Sequence, residues 1–146
     1  MTAEDLKTKE ELRNLIDAYA YLGDEKKISE QMMLFTPDVI YTVHMNGAVV
    51  STVESTASME KEFSGHAAQV KTYFTLNGQH TVKIDGNAAT GISYSQLKMI
   101  RENDGKENIT DYSVRYDDVY VCQDGKWLIK ERKAYFLIVE ARPLNH

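Results

Sequence analysis

A chain of 146 residues, 42% hydrophobic and 27% charged, suits one globular domain over residues 1–146, long enough to bury a core and a hollow within it. Seventeen Lys and Arg against 22 Asp and Glu leave a net charge of −5. The basic residues are interleaved with acidic ones, which argues against a nucleic-acid partner, since that would need a concentrated basic patch.

Cys122 is the single cysteine, so an internal disulfide and a cysteine-based metal site are both excluded. The first stretch, MTAEDLKTKEELRNL, is too polar for a signal peptide. No apolar run approaches the roughly 20 residues of a membrane span. The cytoplasm is the expected compartment, with no membrane partner.

The first predicted element is a helix. Thr8 and Glu11 have capping-box spacing, and Leu12, Leu15, Ile16, Tyr19 and Ala20 form one apolar stripe. Gly23 is its predicted stop. Asp24 is placed to cap a short second helix carrying Ile28, Met32 and Phe35, which Pro37 ends. Two β-rich runs then flank Asn46-Gly47, a hairpin signal. A third helix is predicted from about Thr56 to Phe74, with Met59, Phe63, Val70 and Tyr73 on one side and Gly65 as its weak point.

Three Asp-Gly pairs, at 85–86, 104–105 and 124–125, punctuate the second half. They predict a four-stranded antiparallel meander over about 79–84, 87–102, 107–123 and 126–139. The plan is α+β, with a curled antiparallel sheet following the helices. If each Asp-Gly is a two-residue turn, counting gives the register. Cys122 then faces Trp127, Tyr120 faces Ile129, Asp118 faces Glu131, Tyr116 faces Lys133, Val114 faces Tyr135 and Leu97 faces Tyr112. The inner face would carry Leu97, Met99, Tyr112, Val114, Tyr116, Tyr120, Trp127, Ile129, Tyr135 and Leu137. Arg115, Asp117, Lys130 and Arg132 would lie outside. His80, Gly91, Asp118 and Glu131 would form one row across the inner face, with Gly91 leaving room between His80 and Asp118. Ionisable groups there imply a wet or ligand-filled hollow, because burying a bare carboxylate costs several kcal/mol.

The order of elements carries a resemblance. A helix with YAYLGDEKK, a short helix, LFTPDVIY, a third helix, a histidine near the start of a strand and the ending YDDVYVCQDGKWLIKER resemble the SnoaL-like branch of the nuclear transport factor 2-like superfamily over nearly the whole chain. The resemblance implies a cone-shaped sheet wrapped around three N-terminal helices, a deep pocket and a homodimer formed by sheet packing. It implies no cofactor. It also implies that Asp24 and His80 lie in the pocket as catalytic groups, joined by tyrosines such as Tyr41 and Tyr116. One departure is visible. The dehydratase-like members have a second histidine late in the following strand, and here Arg101 stands at about that place.

On this reading Asp24 and His80 are the candidate catalytic residues, and Tyr41, Tyr116, Asp118, Tyr120 and Tyr135 the candidate substrate-binding ones. No metal ligands are expected, because no two histidines have ligand spacing. There is no phosphate-binding glycine loop and no G-x-S-x-G elbow. His66 falls on the third helix, and His44 beside the first hairpin turn. Three functions fit: a cofactor-free lyase, isomerase or cyclase acting on a small apolar or aromatic carbonyl compound; a non-catalytic ligand-binding module; and a dimerising domain whose cone is filled by its own side chains.

Overall fold

The computed structural model describes residues 1–145. Its first helix, α1 (Ala3–Asp24), starts earlier than the Thr8 signal suggests. Thr2 accepts a hydrogen bond from the Asp5 amide at 3.0 Å, and the Asp5 carboxylate accepts one from the Thr2 amide at 3.4 Å. The same box chemistry is therefore available a turn and a half sooner, in a run of good helix formers. Leu12, Leu15, Ile16 and Leu22 form the buried stripe.

The helix does not stop at Gly23. Lys26 takes the left-handed conformation, φ 59°, and donates its amide to the Gly23 carbonyl, while the Lys27 amide reaches Leu22. That is a Schellman ending three residues later than the glycine implied. Gly23 serves close approach instead: a Cβ there would lie 2.9 Å from Gln31 Nε2. Asp24 thus belongs to the last turn of α1 and caps nothing. The short helix α2 (Ile28–Met32) has Lys27 as its N-cap, without a side-chain bond.

Next come β1 (Phe35–Met45) and β2 (Ala48–Val53), then α3 (Thr56–Ala67) and the meander β3 (Thr72–Asp85), β4 (Ala88–Asn103), β5 (Lys106–Gln123) and β6 (Lys126–Pro143). The predicted third helix ran too far; Tyr73 and Phe74 belong to β3, whose alternating burial marks a strand. The six strands form one sheet in the order β2-β1-β6-β5-β4-β3. Every pairing is antiparallel except β1 with β6, so the sheet is mixed. It curls, without closing, around the helices and matches the α+β cone architecture. Leu12, Ile16, Met59, Val39, Val114, Tyr120 and Ile129 are the centre of the core. Among the described residues no helix is long and apolar enough to cross a membrane.

The turns set the register. Asn46-Gly47, Asp104-Gly105 and Asp124-Gly125 all adopt positive φ, as a two-residue hairpin turn of this composition requires. The remaining turn sits one residue later than predicted: Asp85 pairs with Ala88, leaving Gly86-Asn87 as the loop. Gly91 accordingly faces Val82, and His80 faces Ser93. The shift is two residues, so His80 keeps its inward direction. The β4–β5 pairing follows the count, with Gly91 opposite Asp118 and Leu97 opposite Tyr112.

The β5–β6 pairing departs from the count. Cys122 faces Trp127 and Tyr120 faces Ile129 as expected, but Asp118 then faces Arg132, Tyr116 faces Ala134 and Val114 faces Phe136. One extra residue on β6, Lys130, makes a β-bulge that exchanges its two faces until a second extra residue, Leu137, restores them. Arg132 points inward and is buried, whereas Glu131, Tyr135 and Leu137 leave the predicted inner row.

Candidate functional site

The cone encloses a cavity of about 380 Å³. Its walls are mostly apolar: Ile28, Val43, Phe63, Leu97, Met99 and Phe136 all contribute. Small-molecule sites usually begin at about 300 Å³.

Three phenols form the polar end. Tyr19 comes from α1, Tyr41 from β1 and Tyr116 from β5. The Tyr19 and Tyr41 hydroxyls are 2.8 Å apart, and the Tyr116 hydroxyl also interacts with Tyr41. Burial pushes all three phenols up, and the Arg132 charge pulls them back only in part. They are neutral at physiological pH and act as donors or acceptors rather than bases. Three O–H protons serve at most two bonds within the trio. At least one proton therefore has no acceptor among the described residues and is free for a guest.

Arg132 lies behind this trio. Its guanidinium carbon is 4.4 Å from the Tyr19 ring centroid and 4.0 Å from that of Tyr116. It is clamped by Asp118: Nε donates to Oδ1 at 2.8 Å and Nη2 to Oδ2 at 2.9 Å. Burial alone would pull the guanidinium down, but Asp118 outweighs it and raises its pKa. Asp118 Oδ2 also accepts from the Tyr120 hydroxyl at 2.8 Å, and that hydroxyl lies 3.1 Å from His80 Nε2. A continuous polar line runs from His80 through Tyr120, Asp118 and Arg132 to the phenols of the cavity.

Asp24 lines the cavity beside α2. Its partner is Thr75 of β3, whose amide donates to Oδ2 at 3.0 Å and whose hydroxyl donates to Oδ1 at 2.6 Å. A carboxylate has about four acceptor positions, so two remain for a guest. Gln31 lines the same wall. Its amide nitrogen donates to the Tyr19 carbonyl at 2.9 Å, and its buried Oε1 has no partner among the described residues.

The structure therefore divides the predicted site residues. Asp24, Tyr41 and Tyr116 line one cavity. His80 does not join them. It sits well inside β3 rather than at its start, and Thr75, five residues earlier, faces Asp24. Tyr120 is fully buried between His80 and Asp118, away from the cavity wall. Asp118 is neutralised by Arg132 and does not face a guest. Tyr135 lies on the outer side, stacked on His44 with ring centroids 4.5 Å apart, because the β6 bulge turned it outward. His66 and Glu62 of α3 and Arg101 of β4 do line the cavity.

Sequence reasoning passed over Tyr19 as part of the helix stripe and placed Arg132 outside. A signal for Arg132 existed: the unbulged count set Asp118 against Glu131, two carboxylates inside a sheet, whereas one extra residue sets it against an arginine. Among the described residues no group of three or more His, Cys, Asp or Glu side chains is placed to hold a metal ion.

Comparison with known proteins places this geometry in a family. The profile of the SnoaL-like domain matches residues 4–133. The chain belongs to the SnoaL-like family. Solved structures of the wider nuclear transport factor 2-like group share its fold. A candidate scytalone dehydratase from Novosphingobium aromaticivorans superposes with a TM-score of 0.85 at 17% identity, covering 99% of this chain and 94% of that one. A type 2 hexachlorocyclohexane dehydrochlorinase gives 0.76 at 10% identity, with 97% and 91% covered. The beta subunit of a candidate aromatic-ring-hydroxylating dioxygenase from Novosphingobium aromaticivorans gives 0.78 at 18% identity, with 93% of each chain covered. At these identities the likeness of this SnoaL-like chain to them is one of fold alone. No protein of curated function matches the sequence.

Proposed function

We propose that this SnoaL-like protein binds a small, mostly apolar carbonyl compound in its cone and catalyses a cofactor-free proton transfer on it, as a lyase, isomerase or cyclase would. The observation that supports this is the pairing, in one cavity, of the Asp24 carboxylate with the phenol trio. Asp24 takes a proton from the carbon next to the carbonyl. The electron pair left behind delocalises onto the carbonyl oxygen, and the spare phenolic proton holds that oxygen by a hydrogen bond. The proton then returns to another carbon, or a leaving group departs from the neighbouring one. His80 is no longer part of the proton-transfer pair in this reading; it supports the phenols from behind through Tyr120, Asp118 and Arg132.

Proton abstraction can be read without knowing the natural substrate. A panel of cyclic and aromatic ketones is incubated with the protein in D2O, and deuterium uptake next to the carbonyl is followed by mass spectrometry. Those that bind saturably exchange faster with the wild type. Asp24→Asn lowers the rate by about 100-fold or more, and Tyr41→Phe by about 10- to 100-fold. Exchange in Asp24→Asn as fast as in the wild type overturns the catalytic reading.

A second reading is a non-catalytic binding module. It is favoured by the placement of Thr75, which does not titrate, opposite Asp24. It predicts saturable binding with no exchange. In both readings the protein pairs with a second copy through the outer face of its sheet, where Leu76 and Ile138 lie exposed in one row with Gln96 and Ser113. Exposed apolar side chains grouped in this way mark interaction surfaces.

A further inference from the structure

Arg101 carries an inference about the guest itself, which rests on the reading of the cone as a small-molecule site. Leu97, Met99 and Arg101 alternate along the inner face of β4, and all three line the cavity. Leu97 faces Thr75, the partner of Asp24, and Met99 faces Tyr73. Four residues of strand, roughly 13 Å at ~3.3 Å each, separate Arg101 from the level of Asp24. The cavity therefore runs from the phenols past Asp24 to a cation at its other end.

That cation is poorly served. A guanidinium offers five N–H donors in a planar fork. The bond found for Arg101 runs from Nη2 to Met99 Sδ at 3.4 Å, a weak acceptor. No carboxylate among the described residues forms an ion pair with it. The acidic neighbours are committed elsewhere: Lys71 holds Glu102 at 3.2 Å and Glu107 at 2.9 Å. Glu62, across the cavity on α3, accepts from Ser51 at 2.7 Å and has His66 at 3.9 Å. The Arg101 charge also reaches Tyr73: burial pushes that phenol up, and the arginine draws it part of the way back down. An arginine on an apolar wall, without an anion, has the geometry that forks onto a carboxylate.

We propose that the guest is an organic acid: a flat, mostly apolar molecule whose carboxylate binds Arg101 while its carbonyl reaches the phenol end. Arg101 is then the specificity-determining residue of the cone. It ranks such acids above their neutral counterparts.

A matched pair of fluorescent probes tests this. 1-Anilinonaphthalene-8-sulfonate and 1-anilinonaphthalene share one apolar skeleton and differ by the anion. Both are titrated into the wild type, Arg101→Met, Arg101→Lys and Ala20→Phe, the last placing a ring into the cavity from α1. The wild type binds the sulfonate at least about tenfold more tightly than the neutral probe, the scale of one charged hydrogen bond. Arg101→Met removes that preference, bringing the two probes to similar affinity; Arg101→Lys keeps part of it. Ala20→Phe weakens both. Equal binding of the two probes by the wild type, or a preference that survives Arg101→Met, overturns the role of Arg101 and leaves the cone as a binding site. Failure of both probes to bind, or binding that Ala20→Phe does not weaken, overturns the reading of the cone and this inference with it.

Discussion

Asp118 and Arg132 meet in a two-pronged ion pair with side chains 0% and 1% exposed, directly behind the tyrosines of the cavity. Such a pair adds little net stability over apolar residues of similar size, because two charges must leave water. Breaking it is another matter, since one charge then stays buried alone. Asp118→Leu and Arg132→Met each cost about 3–5 kcal/mol in urea unfolding. The double variant loses clearly less than the sum of the two. Additive losses would mean that the two side chains do not interact in solution.

His80 gives the fold a pH dependence of definite sign. Burial holds its imidazole below the ordinary 6.5; the Asp118 charge opposes this, and Arg13 and Arg132 add to it. A lowered pKa means that the unfolded chain binds the proton more readily than the folded one. The contribution of His80 is thus complete above pH 6.5 and is lost as pH falls from there through the lowered folded value. The midpoint of urea unfolding drops between pH 7.5 and 5.5, and part of that drop disappears in His80→Gln. If wild type and variant lose the same amount over that interval, the imidazole is not titrating where the structure puts it.

The sequence carried the architecture because its strongest signals are local. Positive φ at Asn46, Asp104 and Asp124 is a property of the residue and its glycine neighbour, so those hairpins could be counted. Asp24 and His80 diverged because their placement depends on tertiary detail. Lys26, a residue with no special claim to the left-handed region, ended α1 and turned Asp24 toward Thr75. A loop one residue later than Asp85-Gly86 and a bulge in β6 altered which side chains meet across the sheet. The bulge has no glycine or proline to announce it. It is stabilised by what it brings together, the Asp118 fork, and pairwise chemistry across 14 residues is not written in either strand alone.

The proposed pairing of two copies through the outer face is open to a direct test. Leu76 and Ile138 are 62% exposed on one row of the sheet, flanked by Phe74 at 56%. Leu76→Glu combined with Ile138→Glu places like charges where two copies would meet. The variant sediments as a monomer while its circular dichroism is unchanged, and the wild type sediments as a dimer. A monomeric wild type at tens of micromolar removes the proposed interface.

Two glycines respond to alanine in opposite ways. At Gly91 an added Cβ would stand 2.8 Å from Tyr120 Cε2, 3.0 Å from its hydroxyl and 3.1 Å from His80 Nε2. Tyr120 cannot move aside easily, because its hydroxyl is held by Asp118 and its ring is fully buried. Gly91→Ala therefore costs about 1–3 kcal/mol through overpacking. It also loosens His80, so the pH-dependent part of stability assigned to that histidine shrinks in the same variant. Gly65 lies inside α3 with nothing within 4 Å of an added Cβ. There the alanine only restricts the unfolded chain and favours helix, and Gly65→Ala gains about 0.5–1 kcal/mol. Urea unfolding of the two variants side by side reads the contrast. A neutral Gly91→Ala would show that the sheet relaxes around Tyr120, and that the contact between His80 and Tyr120 is not the fixed start of the polar line to the cavity.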